Sequence, residues 1–191
     1  MGARSRRRHQ TPTKTPTPPT TMMVTMKALL LALAVGVACA VDPAQVSGSW
    51  RTAAIASDSP ALTADGGRLR VLLRHLQCSQ DCRVLTVTFY TRQDGVCLPH
   101  TVVAQAGEDG VYEAEFEGRN RFRVLQQDDG HLVFLNRNEA RDGAVTHVTL
   151  AAGQDQELSD EDLARFAALT EQNGIPRDNV ERVAGTDTCA A

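Results

Sequence analysis

From about residue 46 to residue 150 apolar and polar side chains alternate with a period of two, in short segments separated by tight-turn signals. Leu69, Val71 and Leu73 alternate with Arg70, Leu72 and Arg74. Leu85, Val87 and Phe89 alternate with Thr86, Thr88 and Tyr90. Tyr112, Ala114 and Phe116 alternate with Glu113, Glu115 and Glu117, and Phe122 and Val124 with Arg121, Arg123 and Leu125. Such segments are half-buried strands with one wet face. The turns are Asp65-Gly66-Gly67, Asp94-Gly95, Glu108-Asp109-Gly110, Asp128-Asp129-Gly130 and Asp142-Gly143, the residue pairs that tight hairpins demand. A meander of this length closes into a barrel or folds into a sandwich.

One helix follows the strands. Ser159 caps it, Asp160, Glu161 and Asp162 suit its positive end, and Leu163, Phe166, Ala167 and Thr170 form one narrow apolar face. Gly174 and Pro176 end it. A narrow stripe packs the helix on the outside of the sheet. A short strand is expected at Val180 to Val183.

Charge excludes one class of partner. The chain of 191 residues carries a net charge of −3, but residues 1–40 hold six basic residues and no acid. That leaves 14 basic against 23 acidic residues in 41–191, a net of −9. An acidic body repels phosphate, and an aromatic content of 4% provides few stacking surfaces, so nucleic acid is not an expected partner. No apolar run reaches the roughly 18 residues that span a bilayer.

Residues 1–25 are rich in Arg, Thr and Pro and read as a disordered basic extension upstream of Met26. Residues 26–40 read as a secretory signal: Met26-Lys27, an apolar run from Ala28 to Ala38, and the small-residue site Ala38-Cys39-Ala40. The competing reading is an organellar transit peptide. Secretion accounts better for the cysteines. Five is an odd count, but Cys39 leaves with the signal, and Cys78, Cys82, Cys97 and Cys189 remain, open to three pairings. The mature domain is then 41–191, beginning near Val41.

Gly48-Ser49-Trp50 is a G-x-W a few residues into that mature chain. Cys78-Ser79-Gln80-Asp81-Cys82 follows, then Val87-Thr88-Phe89-Tyr90, Cys97, the stretch from Tyr112 to Phe122, and Asn173-Gly174-Ile175-Pro176-Arg177-Asp178-Asn179-Val180. As an ordered set across residues 44–189 this resembles the lipocalins, in particular the mammalian odorant-binding proteins and aphrodisin. The resemblance implies an all-β fold, an eight-stranded antiparallel up-and-down barrel with one C-terminal α-helix packed outside. It implies bridges Cys78–Cys82 and Cys97–Cys189, the second tying the tail to a barrel strand. It makes Gly48 and Trp50 a structural motif, with the indole plugging the closed end. Many members place an arginine near the C-terminus over that ring. Thr188 stands there in this chain, which leaves Arg182 as the candidate cation for the ring face.

Other chemistries find little support. A C-x-x-x-C supplies two metal ligands where a structural zinc needs four, and His9, His75, His100, His131 and His147 are scattered. No metal and no cofactor is expected. One lipocalin branch catalyses prostaglandin isomerisation with a free cavity thiol. All four mature cysteines here occupy disulfide positions, so no enzyme is expected. The best reading is a secreted carrier of a small hydrophobic ligand such as an odorant or pheromone. The alternative is a secreted signalling or interaction protein acting through its acidic outer surface. Receptor and homodimer partners are not legible.

Strand parity then assigns the cavity. With Arg70, Arg74, Glu113, Glu115, Arg121 and Arg123 marking the wet face, the inward positions are Leu69, Val71, Leu73, Ala114, Phe116, Phe122 and Val124. By the same parity and by resemblance, Leu85, Val87, Phe89, Phe134, Val148 and Leu150 join them. Asn120 and Asn136 also fall inward, where a polar group needs a partner.

Overall fold

The computed structural model describes Gly2 and residues 42–128, 130–154 and 157–190. The expected signal segment and cleavage site, with Cys39, and the basic stretch beyond Gly2 lie outside the described residues, as does Asp129 of one expected turn.

The strands are β1 (Gly48–Ser49), β2 (Arg51–Ser57), β3 (Leu72–Cys78), β4 (Val84–Gln93), β5 (Val96–Ala106), β6 (Tyr112–Glu115), β7 (Arg119–Asp128), β8 (His131–Glu139), β9 (Val145–Gly153) and β10 (Glu181–Arg182). Helix α1 spans Pro43–Val46 and helix α2 spans Asp160–Gln172. All pairings are antiparallel, in the order β1-β3-β4-β5-β6-β7-β8-β9-β2-β10. Strands β1 and β2 are one segment interrupted at Trp50. Gly48 pairs with Leu76 of β3 on one side, and Ile55 pairs with Leu150 of β9 on the other. That segment closes the sheet, so the barrel has eight strands when β1 and β2 count as one, and β10 adds a short outer edge to β2.

Local sequence sets these elements. The loop between β4 and β5 is Asp94-Gly95, with φ of 50° and 78°. Two successive positive φ values give the turn whose twist matches an antiparallel hairpin, and Asp-Gly tolerates it. Gly48 holds φ 147°, a backbone that side chains disfavour, where the chain enters the barrel. Helix α2 begins as expected: the Ser159 hydroxyl accepts from the Asp162 amide at 3.1 Å. It buries Phe166 and Thr170, and Phe166 packs against Ala53, Ala54, Val133, Ala151 and Leu158. Three alanines on the barrel's outer face let the helix approach closely, and the Thr149 and Thr170 hydroxyls meet at 2.8 Å.

One expectation is corrected. Arg70 and Arg74 do point away from the cavity, but neither is wet: they are 2% and 8% exposed. The C-terminal segment lies over them. Arg70 donates to the Thr63 carbonyl at 2.7 Å and pairs with Glu181 at 2.9 Å. Arg74 grips Asp187 through two bonds of 2.8 Å, donates to the Ala190 carbonyl at 2.7 Å and lies over the Tyr90 ring. Parity gives the face; it does not say whether another segment covers that face. Both bridges are present, Cys78–Cys82 and Cys97–Cys189.

Candidate functional site: an apolar barrel cavity

The closed end is built around Trp50. Its ring is 1% exposed, and its Nε1–H donates to the Val46 carbonyl at 2.8 Å, so α1 holds the plug in place. Arg182 does not reach the indole; it donates to Asp160 at 2.7 Å on the outer surface. Tyr112 packs in the same cluster, and its hydroxyl donates to the Cys82 carbonyl at 2.6 Å, tying β6 to the small bridge loop. Burial pushes the Tyr112 phenol up from its ordinary value.

The barrel interior holds a cavity of about 120 Å³. Leu69, Val71, Leu73, Val87, Phe89, Ala114, Phe116, Asn120, Phe122, Phe134, Asn136, Val148 and Leu150 lie on its wall, each an inward position by strand parity. Leu85 does not. It is fully buried in the packed cluster that holds Trp50, Cys78, Cys82 and Leu132, below the open space. Three wall residues escape the parity argument: Ile55, Leu76 and Val102. The register slips between Leu73 and His75, and between Thr52 and Ala54, so simple alternation loses Leu76 and Ile55. Strand β5 has no clean polar alternation to place Val102.

The aromatic rings are interlocked. Phe116 stands edge-on to Phe89 at 4.9 Å, and Phe122 stacks on Tyr112 at 5.3 Å while meeting Phe134 at 6.4 Å. His100, not singled out as a cavity residue from the sequence, packs on Phe89 at 5.1 Å and on Phe116 at 4.9 Å. Its Nε2 lies 2.8 Å from the Thr91 hydroxyl. Burial holds the His100 imidazole below its ordinary value, and the Glu117 carboxylate opposes that shift.

Among the described wall residues only Asn120 and Asn136 carry polar side-chain atoms. Their amide orientations follow from their neighbours. The Phe116 and Gly118 carbonyls can only accept, so the atom facing them at 2.7 and 3.2 Å is the Asn120 nitrogen. Asn120 Oδ1 then faces two amides and accepts from Asn136 Nδ2 at 2.8 Å and Asn138 Nδ2 at 3.1 Å. The nitrogens of both partners are committed. Among the described residues, Asn136 Oδ1 and Asn138 Oδ1 are the buried side-chain atoms without a hydrogen-bond partner. Asn136 lines the cavity and Asn138 does not, so Asn136 Oδ1 is the unpaired oxygen that belongs to a wall residue, although a water-sized molecule in the cavity does not touch it.

Among the described residues, no group of three or more His, Cys, Asp or Glu side chains is placed to hold a metal ion. Among the same residues no helix is long and apolar enough to cross a membrane.

Residues 47–187 match the family model described as the lipocalin / cytosolic fatty-acid binding protein family. A male-specific submandibular salivary gland protein of Mesocricetus auratus is 41% identical over 160 residues, covering 81% of this chain and 92% of that protein. The solved structure of an odorant-binding protein, OBP1, superposes with a TM-score of 0.76 at 36% identity, covering 79% of this chain and 98% of that one. Aphrodisin, described as a sex pheromone from female hamster, superposes with a TM-score of 0.74 at 32% identity over 76% of this chain and 99% of its own. Closed antiparallel barrel, outer helix, plugged end and matched sequence agree, and the chain belongs to the lipocalin family.

Proposed function

We propose that the protein is a secreted, non-catalytic carrier of one small hydrophobic molecule of the odorant or pheromone kind, and that it favours molecules bearing a hydroxyl. The observation that carries this reading is an apolar barrel cavity with two polar residues on its wall, one of which, Asn136, has an unpaired side-chain oxygen that a small shift of the amide would turn towards a ligand. Burial of ligand carbon supplies the affinity. A buried acceptor with no partner costs free energy, and a ligand O–H offsets that cost where an ether or a hydrocarbon cannot.

Size narrows the class. An engineered cavity of about 150 Å³ holds benzene, so about 120 Å³ suits a single small ring or a short chain. A longer ligand has to turn the Phe side chains.

The test is titration of the secreted protein with 4-fluorophenol, followed by ¹⁹F NMR. Phe122→Trp should weaken binding at least several-fold while the fold survives, because the added ring fills the cavity. Glu115→Ala, on the exposed outer face, should leave binding unchanged. Full binding by folded Phe122→Trp, with loss on the outer-face change, refutes the cavity assignment. N-terminal sequencing of protein from the medium tests secretion, with a start near Val41 expected.

A further inference from the structure

We propose that ligand enters and leaves through the barrel wall, along the seam between β5 and β6, and that contact between His100 and Phe116 latches this seam. The inference rests on the carrier reading above.

Strand pairing is unequal around the barrel. Strands β4 and β5 are paired over ten positions, from Val84↔Gln105 to Gln93↔Val96. On its other edge β5 has two pairs with β6, Gln105↔Glu113 and Ala106↔Tyr112. The four residues of β6 are all paired to β7. By that register residues 101–104 of β5 run beside residues 114–117 without a ladder between them, and residues 96–100 extend past the end of β6. A wall held by side chains alone opens at lower cost than one held by backbone hydrogen bonds.

Space lies on both sides of this seam. An outer groove of about 730 Å³ runs along it, bordered by Thr101, Val103, Glu113 and Glu115. Val102 and Ala114 line both that groove and the inner cavity. At those two residues the groove and the cavity share a single layer of side chains, and Ala114 is among the smallest groups on the wall. The closed end is blocked by Trp50 and its cluster.

Above the shared residues one contact bridges the unpaired strands. His100 on β5 meets Phe116, just beyond β6, with ring centroids 4.9 Å apart. Phe89 braces both rings, and the Thr91 hydroxyl holds the imidazole. Turning the His100 ring aside removes the bridge without breaking any pair of the sheet.

The experiment staples the seam from outside. Extending the register from Gln105↔Glu113 sets Val103 opposite Glu115. Val103 is 57% exposed and Glu115 is exposed; neither lines the cavity. Val103→Cys with Glu115→Cys, cross-linked and confirmed by mass, is compared with Val103→Ser with Glu115→Ser. Exchange of 4-fluorophenol is read by ¹⁹F exchange spectroscopy. The cross-link should slow association and dissociation at least tenfold and leave Kd within twofold. His100→Ala should speed both rates at least threefold, again with little change in Kd. Unchanged rates in the cross-linked protein overturn the portal. Unchanged rates in His100→Ala overturn the latch, and this arm stands even where the cysteine pair does not oxidise. Absence of 4-fluorophenol binding in the wild type refutes the carrier reading instead.

Discussion

Replacing Asn136 by Leu separates what the residue does for the fold from what it does for a ligand. Leu has the same branching as Asn but bulkier methyl groups, so the cavity shrinks, and it shrinks alike for two ligands of equal size. The substitution removes one hydrogen bond to Asn120 Oδ1, but that oxygen still accepts from Asn138. It also removes a buried oxygen without a partner, a defect that costs about 1–3 kcal/mol. The unliganded protein should therefore be as stable as wild type or more so, with its urea midpoint unchanged or raised. Ligand binding should move the other way. A neutral hydrogen bond contributes about 0.5–1.5 kcal/mol, or roughly three- to tenfold in Kd. The assay pairs 4-fluorophenol with 4-fluorotoluene, which swaps the hydroxyl for a methyl of similar size. The ratio of their affinities cancels differences in transfer from water when compared between wild type and variant. That ratio should fall about three- to tenfold towards the toluene in Asn136→Leu. An unchanged ratio in a folded variant refutes the role given to Asn136 Oδ1.

Three further outcomes follow from the same structure. Trp50→Phe leaves the buried Val46 carbonyl without its indole donor and should cost about 1–3 kcal/mol by urea denaturation, with ligand affinity little changed. Arg74→Met removes both short bonds to the buried Asp187, leaving it Arg51 at 4.0 Å and the Cys189 amide, and should cost about 3 kcal/mol; hydrogen exchange should then show the tail released even with the Cys97–Cys189 bridge intact. Stability should also fall as pH drops below about 6.5, the ordinary value for His100, because burial holds the folded imidazole below it. Over that window the unfolded chain binds more protons than the folded one, so protonation favours unfolding. His100→Gln should flatten that part of the urea midpoint profile measured between pH 7.5 and 5.5.

How much of this is legible in the sequence depends on what hides each residue. The barrel is legible because alternation and Asp-Gly turns are local codes, and each strand repeats them. The cavity wall is legible wherever alternation is unbroken: Leu69 to Leu73, Ala114 to Phe122, Phe134 and Asn136. It fails at the register slips, where Leu76 and Ile55 change face. It fails again at Leu85, since parity tells inside from outside but not depth along the barrel. Arg70 and Arg74 are misread for a third reason. The segment that buries them comes from more than a hundred residues away in the chain, and no local pattern announces that cover. His100 sits in a strand without alternation, so its contacts with Phe89 and Phe116 emerge from pairing alone.

Cavity size decides which interaction sets selectivity. A ligand of six or seven carbons, about what 120 Å³ admits, gains roughly 5 kcal/mol at about 0.8 kcal/mol per buried carbon group. Association costs about 4 kcal/mol or more, so apolar burial alone leaves little surplus. In a large cavity one hydrogen bond is a small fraction of a large gain. Here about 1 kcal/mol from a hydroxyl on Asn136 Oδ1 is comparable with the whole surplus. On the reading proposed above, two molecules of equal size and shape, one with the hydroxyl and one without, should be separated by this single oxygen. The oxygen keeps its role because Asn120 is fixed by two backbone carbonyls and in turn fixes the Asn136 amide. The turn after β6 thus sets the polarity of the cavity, and Phe116 in that same turn closes the seam to β5.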